Sequence, residues 1–156
     1  MDGVNFNVDA NTAGLLHIIR IPIQPGFKGW VAGLQIVNAA YHQLAVIDIY
    51  DVQDRYKVAT MTFTGQGNRV PMKNAYGHEG VSFGPLSGPA IMHVTILHRR
   101  APGARWIPSK TTGPLTIEKS PEGDVYNKTF YLSVVISEDA DDSSQDDCTI
   151  SVLLYK

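Results

Sequence analysis

The chain has 156 residues, 44% of them apolar and 18% charged, with a formal net charge of −2. That balance excludes global disorder, which needs low hydrophobicity together with high net charge. It also provides no broad field for nucleic acid or an anionic membrane, so neither is an expected partner. The one cysteine, Cys148, excludes an intramolecular disulfide framework and a multi-thiolate zinc site.

The N-terminus, Met1-Asp2-Gly3-Val4-Asn5, lacks the basic and apolar regions of a signal peptide. The expected location is therefore cytoplasmic, non-classically exported or cell-surface associated. Apolar runs at residues 15–23 and 31–37 are too short to span a bilayer, and Arg20 interrupts the first, so no membrane insertion is expected. Fourteen glycines and nine prolines cut the chain into short pieces, which disfavours long helices. Between these breaks, residues 56–64 alternate, with Lys57, Ala59, Met61 and Phe63 against Val58, Thr60, Thr62 and Thr64. Residues 90–98 alternate likewise, with Met92, Val94 and Ile96 against Ile91, His93, Thr95 and Leu97. Further strands are expected at 15–23, 31–37, 43–51, 115–118, 128–137 and 148–155. A helix over 48–58 is the one competing assignment, but Ile47, Ile49 and Tyr50 favour strand. The expected fold is all-β, a single domain over residues 1–156 built as an antiparallel β-sandwich of Greek-key type.

Residues 99–113 carry Arg99, Arg100, Arg105 and Lys110 together with Trp106. Four cations in one loop can guide an anionic partner, although a solvated loop is the plainer reading. The five histidines show no metal-binding spacing, and Trp30 and Trp106 are expected to pack in a core or interface.

The most informative stretch is acidic. Glu138, Asp139, Asp141, Asp142, Asp146 and Asp147 place six carboxylates within ten residues, of fifteen acids in the chain. Such crowding is costly by mutual repulsion unless a cation neutralises it. Calcium, which takes six to eight oxygen ligands, is the natural candidate. An exposed acidic hairpin that keeps a sheet edge soluble is the alternative. Apolar strands expected on both sides of the stretch favour convergence, because adjacent strands would force the loop ends together. No register fits an EF-hand, with acids at loop positions one, three and five, glycine at six and glutamate at twelve.

The run Val134-Val135-Ile136-Ser137-Glu138-Asp139-Ala140-Asp141-Asp142-Ser143-Ser144-Gln145-Asp146-Asp147, followed by Thr149-Ile150-Ser151-Val152-Leu153-Leu154, is similar to a known motif. It resembles the strand, acidic loop and final strand of the small bacterial calcium-mediated lectins of the PA-IIL (LecB) type, which bind fucose and mannose. Upstream, Ile36-Val37-Asn38-Ala39-Ala40 resembles the family's apolar strand ending in Asn and two small residues. The resemblance implies one or two calcium ions in the loop, coordinated directly by sugar hydroxyls. It places Glu138, Asp142, Ser144, Asp146 and Asp147 at the metal, with Asn38 as a carbonyl ligand from the upstream turn. It places Asp139 against the sugar and Ala39 and Ala40 in the stretch that tunes sugar preference. It further implies homodimers or larger assemblies formed through the C-terminal strands, with mannose- or fucose-containing glycans as partners.

The sequence also departs from the family pattern. Ser144 stands where the family has the aspartate that bridges both calciums, Asp146 replaces an Asn, Ala140 a Gly and Gln145 a Tyr. Family chains end Trp-Pro-Leu-Gly, where this one reads Leu153-Leu154-Tyr155-Lys156. The function expected is calcium-dependent carbohydrate binding without catalysis. The alternative is a β-sandwich interaction or structural protein with a degenerate acidic loop that binds no sugar. A glycosidase-like enzyme using the same carboxylates is a third reading, weakened because no separate apolar pocket is expected to raise one carboxyl pKa.

Overall fold

A computed structural model describes residues 18–35, 39–52, 55–67, 69–120, 128–138 and 148–156. Eleven strands follow in chain order: β1 (Ile19–Ile23), β2 (Lys28–Gln35), β3 (Ala39–Asp51), β4 (Lys57–Gly67), β5 (Val70–Pro71), β6 (Gly80–Phe83), β7 (Ala90–Arg99), β8 (Ile107–Pro108), β9 (Lys110–Lys119), β10 (Phe130–Glu138) and β11 (Cys148–Tyr155). They form two antiparallel sheets. One runs β1-β7-β3-β4, with β8 also on β7; the other runs β5-β2-β11-β10-β9, with β6 also on β2. The chain crosses repeatedly between them, and the all-β sandwich is the fold expected.

The alternating segments explain the core. On β7, Met92, Val94 and Ile96 are buried against Ala45, Ile47 and Ile49 of β3 and Met61 and Phe63 of β4. The facing sheet contributes Val31, Val135, Ile150 and Val152 to the same cluster. Gly33 lets β2 approach closely: a Cβ there would lie 2.8 Å from Met72 Sδ and 2.9 Å from Ile150 Cδ1. Leu97, on the opposite face of β7, is equally buried, because Trp106 folds back with Leu44 and Val46 to form a second small cluster outside the sandwich.

Several expected elements shift. The segment expected at 115–118 extends to ten residues as β9, an exposed edge strand. Its irregularity sits where Val134 opposes Leu115 but Ile136 opposes Thr112, leaving Gly113 and Pro114 across from Val135. Proline, which has no N–H to give a ladder, belongs at such a bulge on an edge strand. The competing helix over 48–58 does not form, since β3 continues to Asp51 and turns.

The C-terminal strand, expected to contribute to a subunit interface, is the middle of its sheet, flanked by β2 and β10. Val152 and Leu154 enter the core, while Leu153 and Tyr155 face outward. That outward face is apolar across four strands. Trp30, Leu153, Leu132 and Ile117 stand side by side in register, and Ala32, Ser151, Val134 and Leu115 form the next row. Trp30 is 46% exposed, Leu115 67% and Ile117 64%.

Candidate functional site

The sheet register decides where the acidic loop is rooted. β10 and β11 are antiparallel neighbours, with Ser137 opposite Cys148, so residues 139–147 connect adjacent strand ends. On the other side of β11, Cys148 stands opposite Gln35, the last residue of β2. Residues 36–38 therefore leave from the same row of the sheet and lead to Ala39, the first residue of β3. Thus the two separated motifs, one at each end of the sequence, are anchored at one end of the sandwich.

Of the expected metal ligands, Glu138 lies within the described residues. It closes β10, is 3% exposed and stands opposite Lys110 of β9. Asn38, Asp139, Asp142, Ser144, Asp146 and Asp147 lie outside the described residues. Ala39 and Ala40 begin β3 as backbone, with Ala39 paired to Gly67, and their side chains are likewise outside. Among the described residues, no group of three or more His, Cys, Asp or Glu side chains is placed to hold a metal ion. Cys148, immediately after the loop, is fully buried with its Sγ 3.3 Å from Met72 Sδ, an apolar setting that suits a structural thiol.

The same end carries the cationic segment. His42 of β3 pairs with Arg99, the last residue of β7. The hairpin that follows returns through β8, and the chain then crosses to β9 at Ser109 to meet the root of the acidic loop. Arg100, Arg105 and Lys110 of this segment are exposed, as the solvated-loop reading expects, while Arg99 is partly buried. The Arg99 guanidinium lies 4.4 Å from the centroid of the Trp106 ring, which is itself buried, and Arg100 lies over Tyr41 at 5.6 Å. Stacking of this kind offsets part of the desolvation of a guanidinium. Sequence reading misses it because Trp106 reaches Arg99 only through the turn-back of β8.

His98 is held beneath this cluster. Its Nδ1 is 2.9 Å from Ser109 Oγ, and its ring stacks on Tyr41 at 5.7 Å. Burial, with a smaller contribution from the Arg100 charge, holds its pKa below the ordinary value. The folded protein therefore resists protonating His98, while the unfolded chain accepts the proton near pH 6.5. Its stabilising contribution is complete above that pH and is lost as pH falls towards the lower folded pKa. Thermal midpoints are expected to fall between about pH 7 and about pH 5, with a shallower fall in His98→Gln; equal slopes would contradict this assignment.

An apolar groove also opens between the sheets. It encloses about 210 Å³ and is lined by Ile21, Phe27, Pro114, Tyr131 and Leu154, among others. Glu118 is the one carboxylate on its lining.

The architecture has counterparts among solved structures. The C-terminal domain of BC2L-C lectin from Burkholderia cenocepacia superposes with a TM-score of 0.53 at 21% identity, over 88% of this chain and 96% of that one. The chain has the fold of a bacterial lectin. The Ralstonia solanacearum high-affinity mannose-binding lectin superposes with a TM-score of 0.52 at 17% identity, over 86% of this chain and 93% of that one. No protein-family model matches the sequence, and no curated protein matches it. The likeness in fold agrees with the resemblance to PA-IIL-type lectins carried by the two sequence motifs.

Proposed function

We propose that this chain is a calcium-dependent carbohydrate-binding protein and not an enzyme. The observation that carries the reading is the common root of the two motifs: β2, β11 and β10 lie side by side, with Gln35, Cys148 and Ser137 in one row. From that row the chain departs into the upstream Asn38 segment and into the acidic stretch, at one end of a lectin-type sandwich. The chemistry of the donor set suits calcium, which prefers carboxylate and carbonyl oxygen and tolerates irregular coordination. Glu138 contributes a buried carboxylate at the root. Asn38, Glu138, Asp142, Ser144, Asp146 and Asp147 would hold one or two ions. When bound, calcium offers open positions at which neutral hydroxyl oxygens replace water. Asp139 would then accept a hydrogen bond from the sugar, and Ala39 and Ala40 would border it, favouring mannose- or fucose-type residues.

The catalytic alternative is the weaker one. Glycoside hydrolysis needs two carboxyl groups flanking the scissile bond, roughly 5–9.5 Å apart. The groove between the sheets offers Glu118 alone. A glycan array read with calcium and again with chelator tests the proposal. Chelator-sensitive binding without turnover is the expected result; absence of binding in both conditions would leave the β-sandwich interaction module as the better reading.

We further propose that two copies associate through the outer face of β9, β10, β11 and β2. A shallow sugar site binds weakly by itself, and a dimer multiplies its effective concentration. Contiguous exposed apolar surface of this kind is unusual on a monomer, and the rows centred on Leu132 and Val134 can meet the same rows of a second copy. Leu115→Lys with Ile117→Lys should convert the assembly to monomers in light scattering while leaving the circular dichroism spectrum unchanged. A wild-type protein that is already monomeric at tens of micromolar, on the order of common working concentrations, would overturn this assignment.

A further inference from the structure

We propose that a second binding pocket, on the outer face of β3, β4 and β7, accepts the carboxylate of an acidic sugar such as a uronic acid. The ligand class rests on the carbohydrate-binding reading; the pocket itself does not. It is lined by His42, Thr64, Gly65, Gln66, Arg99 and Trp106 and encloses about 250 Å³. That is below the usual range for drug-sized ligands, roughly 300–1,000 Å³, and suits one small ring or anion.

Arg99 gives the pocket its chemistry. Its guanidinium is braced against the Trp106 ring, so its position is fixed by packing. Among the described residues its Nε, closed off from solvent, meets no hydrogen-bond acceptor. No carboxylate among the described residues forms an ion pair with Arg99. Because Nε is closed off from solvent, it is the end of the guanidinium carrying both Nη groups, also a two-pronged donor, that would meet the two oxygens of a carboxylate in the pocket. Thr64 and His42 lie beside it on neighbouring strands, able to engage ring hydroxyls. Arg100, close behind on Tyr41, adds positive potential without occupying the pocket.

Position gives the pocket a purpose. His42 lies three residues after Ala39, and Arg99 opens the hairpin that leads to Lys110 opposite Glu138. The pocket is therefore at the end of the sandwich that roots the acidic loop. A glycan held at that loop by one residue would find here a site for a neighbouring acidic residue, which would distinguish charged from neutral glycans.

The test uses Trp106 as its own reporter. In a Trp30→Phe background, Trp106 is the remaining tryptophan, because the chain has two. Fluorescence is titrated with sodium glucuronate, glucose and sodium sulfate, all in chelator so that no calcium site contributes. The expected result is a saturable change with glucuronate at millimolar concentrations and none with glucose. Sulfate, which offers a two-oxygen edge but no ring hydroxyls for Thr64 and His42, should bind more weakly. Arg99→Gln should abolish the response, and Arg99→Lys, which keeps the charge but loses the two-pronged edge, should weaken it about tenfold. Unchanged thermal midpoints would show that both variants remain folded. Equal binding of sulfate, undiminished binding by Arg99→Lys, or no response of the folded parent to glucuronate would overturn the proposal. Because calcium is absent throughout, failure of the lectin reading on the glycan array leaves this result separately interpretable.

Discussion

Replacing Phe63 with alanine is expected to lower the unfolding free energy by about 3–5 kcal/mol, the range for deleting a buried aromatic ring. Phe63 is fully buried in β4, opposite Ala45 in the strand register, and belongs to the cluster joining both sheets. The small neighbour opposite it is the reason to expect the upper part of that range, since Ala45 cannot move to fill the space left behind. Against a total stability of about 5–15 kcal/mol, such a loss is a large fraction of the whole. At this chain length it should depress the thermal midpoint by roughly 6–20 °C. Leu115→Ala provides the contrast. At 67% exposure on the outer face of β9, it should change monomer stability by no more than about 0.5 kcal/mol. Urea unfolding of both variants, analysed at constant m value, checks the pair. A Phe63→Ala midpoint indistinguishable from that of Leu115→Ala would mean that the two sheets do not share the core described.

The contrast between these two residues also explains which strands the sequence reveals. β4 and β7 each present one face to the interior, so Met61 and Phe63, or Met92, Val94 and Ile96, recur at every second position. β9 buries neither face along most of its length, so only the fragment around Leu115 and Ile117 reads as a strand. The two-residue strands β5 and β8 are created by pairing with Leu34 and Gln35 or with Leu97 and His98, and so short a run has no period of its own. The acidic stretch is legible for the opposite reason. Six carboxylates between two apolar strands form a compositional break no packing argument can absorb, and adjacency of those strands follows from the fold. What the sequence does not disclose is the Arg99 cluster. Its members fall in two stretches, Tyr41 and His42 in one and Arg99 and Trp106 in the other, which meet only through the β3–β7 register and the return of β8.

Restoring the family aspartate by Ser144→Asp is expected to raise the calcium stoichiometry from one ion to two. The argument is one of charge and position. Aligned to the lectin motif, Glu138, Asp142, Asp146 and Asp147 supply four carboxylates, which suffices to balance two divalent ions. The position that the resemblance aligns with the family's bridging aspartate, however, is a serine. A neutral hydroxyl there would leave two like-charged ions with no shared anion between them, and mutual repulsion would fall on the second ion to bind. Wild type should therefore titrate as one tighter site, with the second weak or absent in the millimolar range that limits extracellular calcium modules. Adding a carboxylate at position 144 strengthens the second site more than the first. Asp142→Ala and Asp147→Ala should each remove the calorimetric heat, and with it the calcium-dependent rise in thermal midpoint that ligand binding to the native state requires. Sugar binding should follow the metal: lost in the two alanine variants, and stronger in Ser144→Asp. If the wild-type chain shows neither heat nor thermal stabilisation at millimolar calcium, while Ser144→Asp shows both, the loop is a lectin site disabled by one substitution. If neither protein responds, the acidic loop serves another purpose and the calcium-bridged mechanism fails.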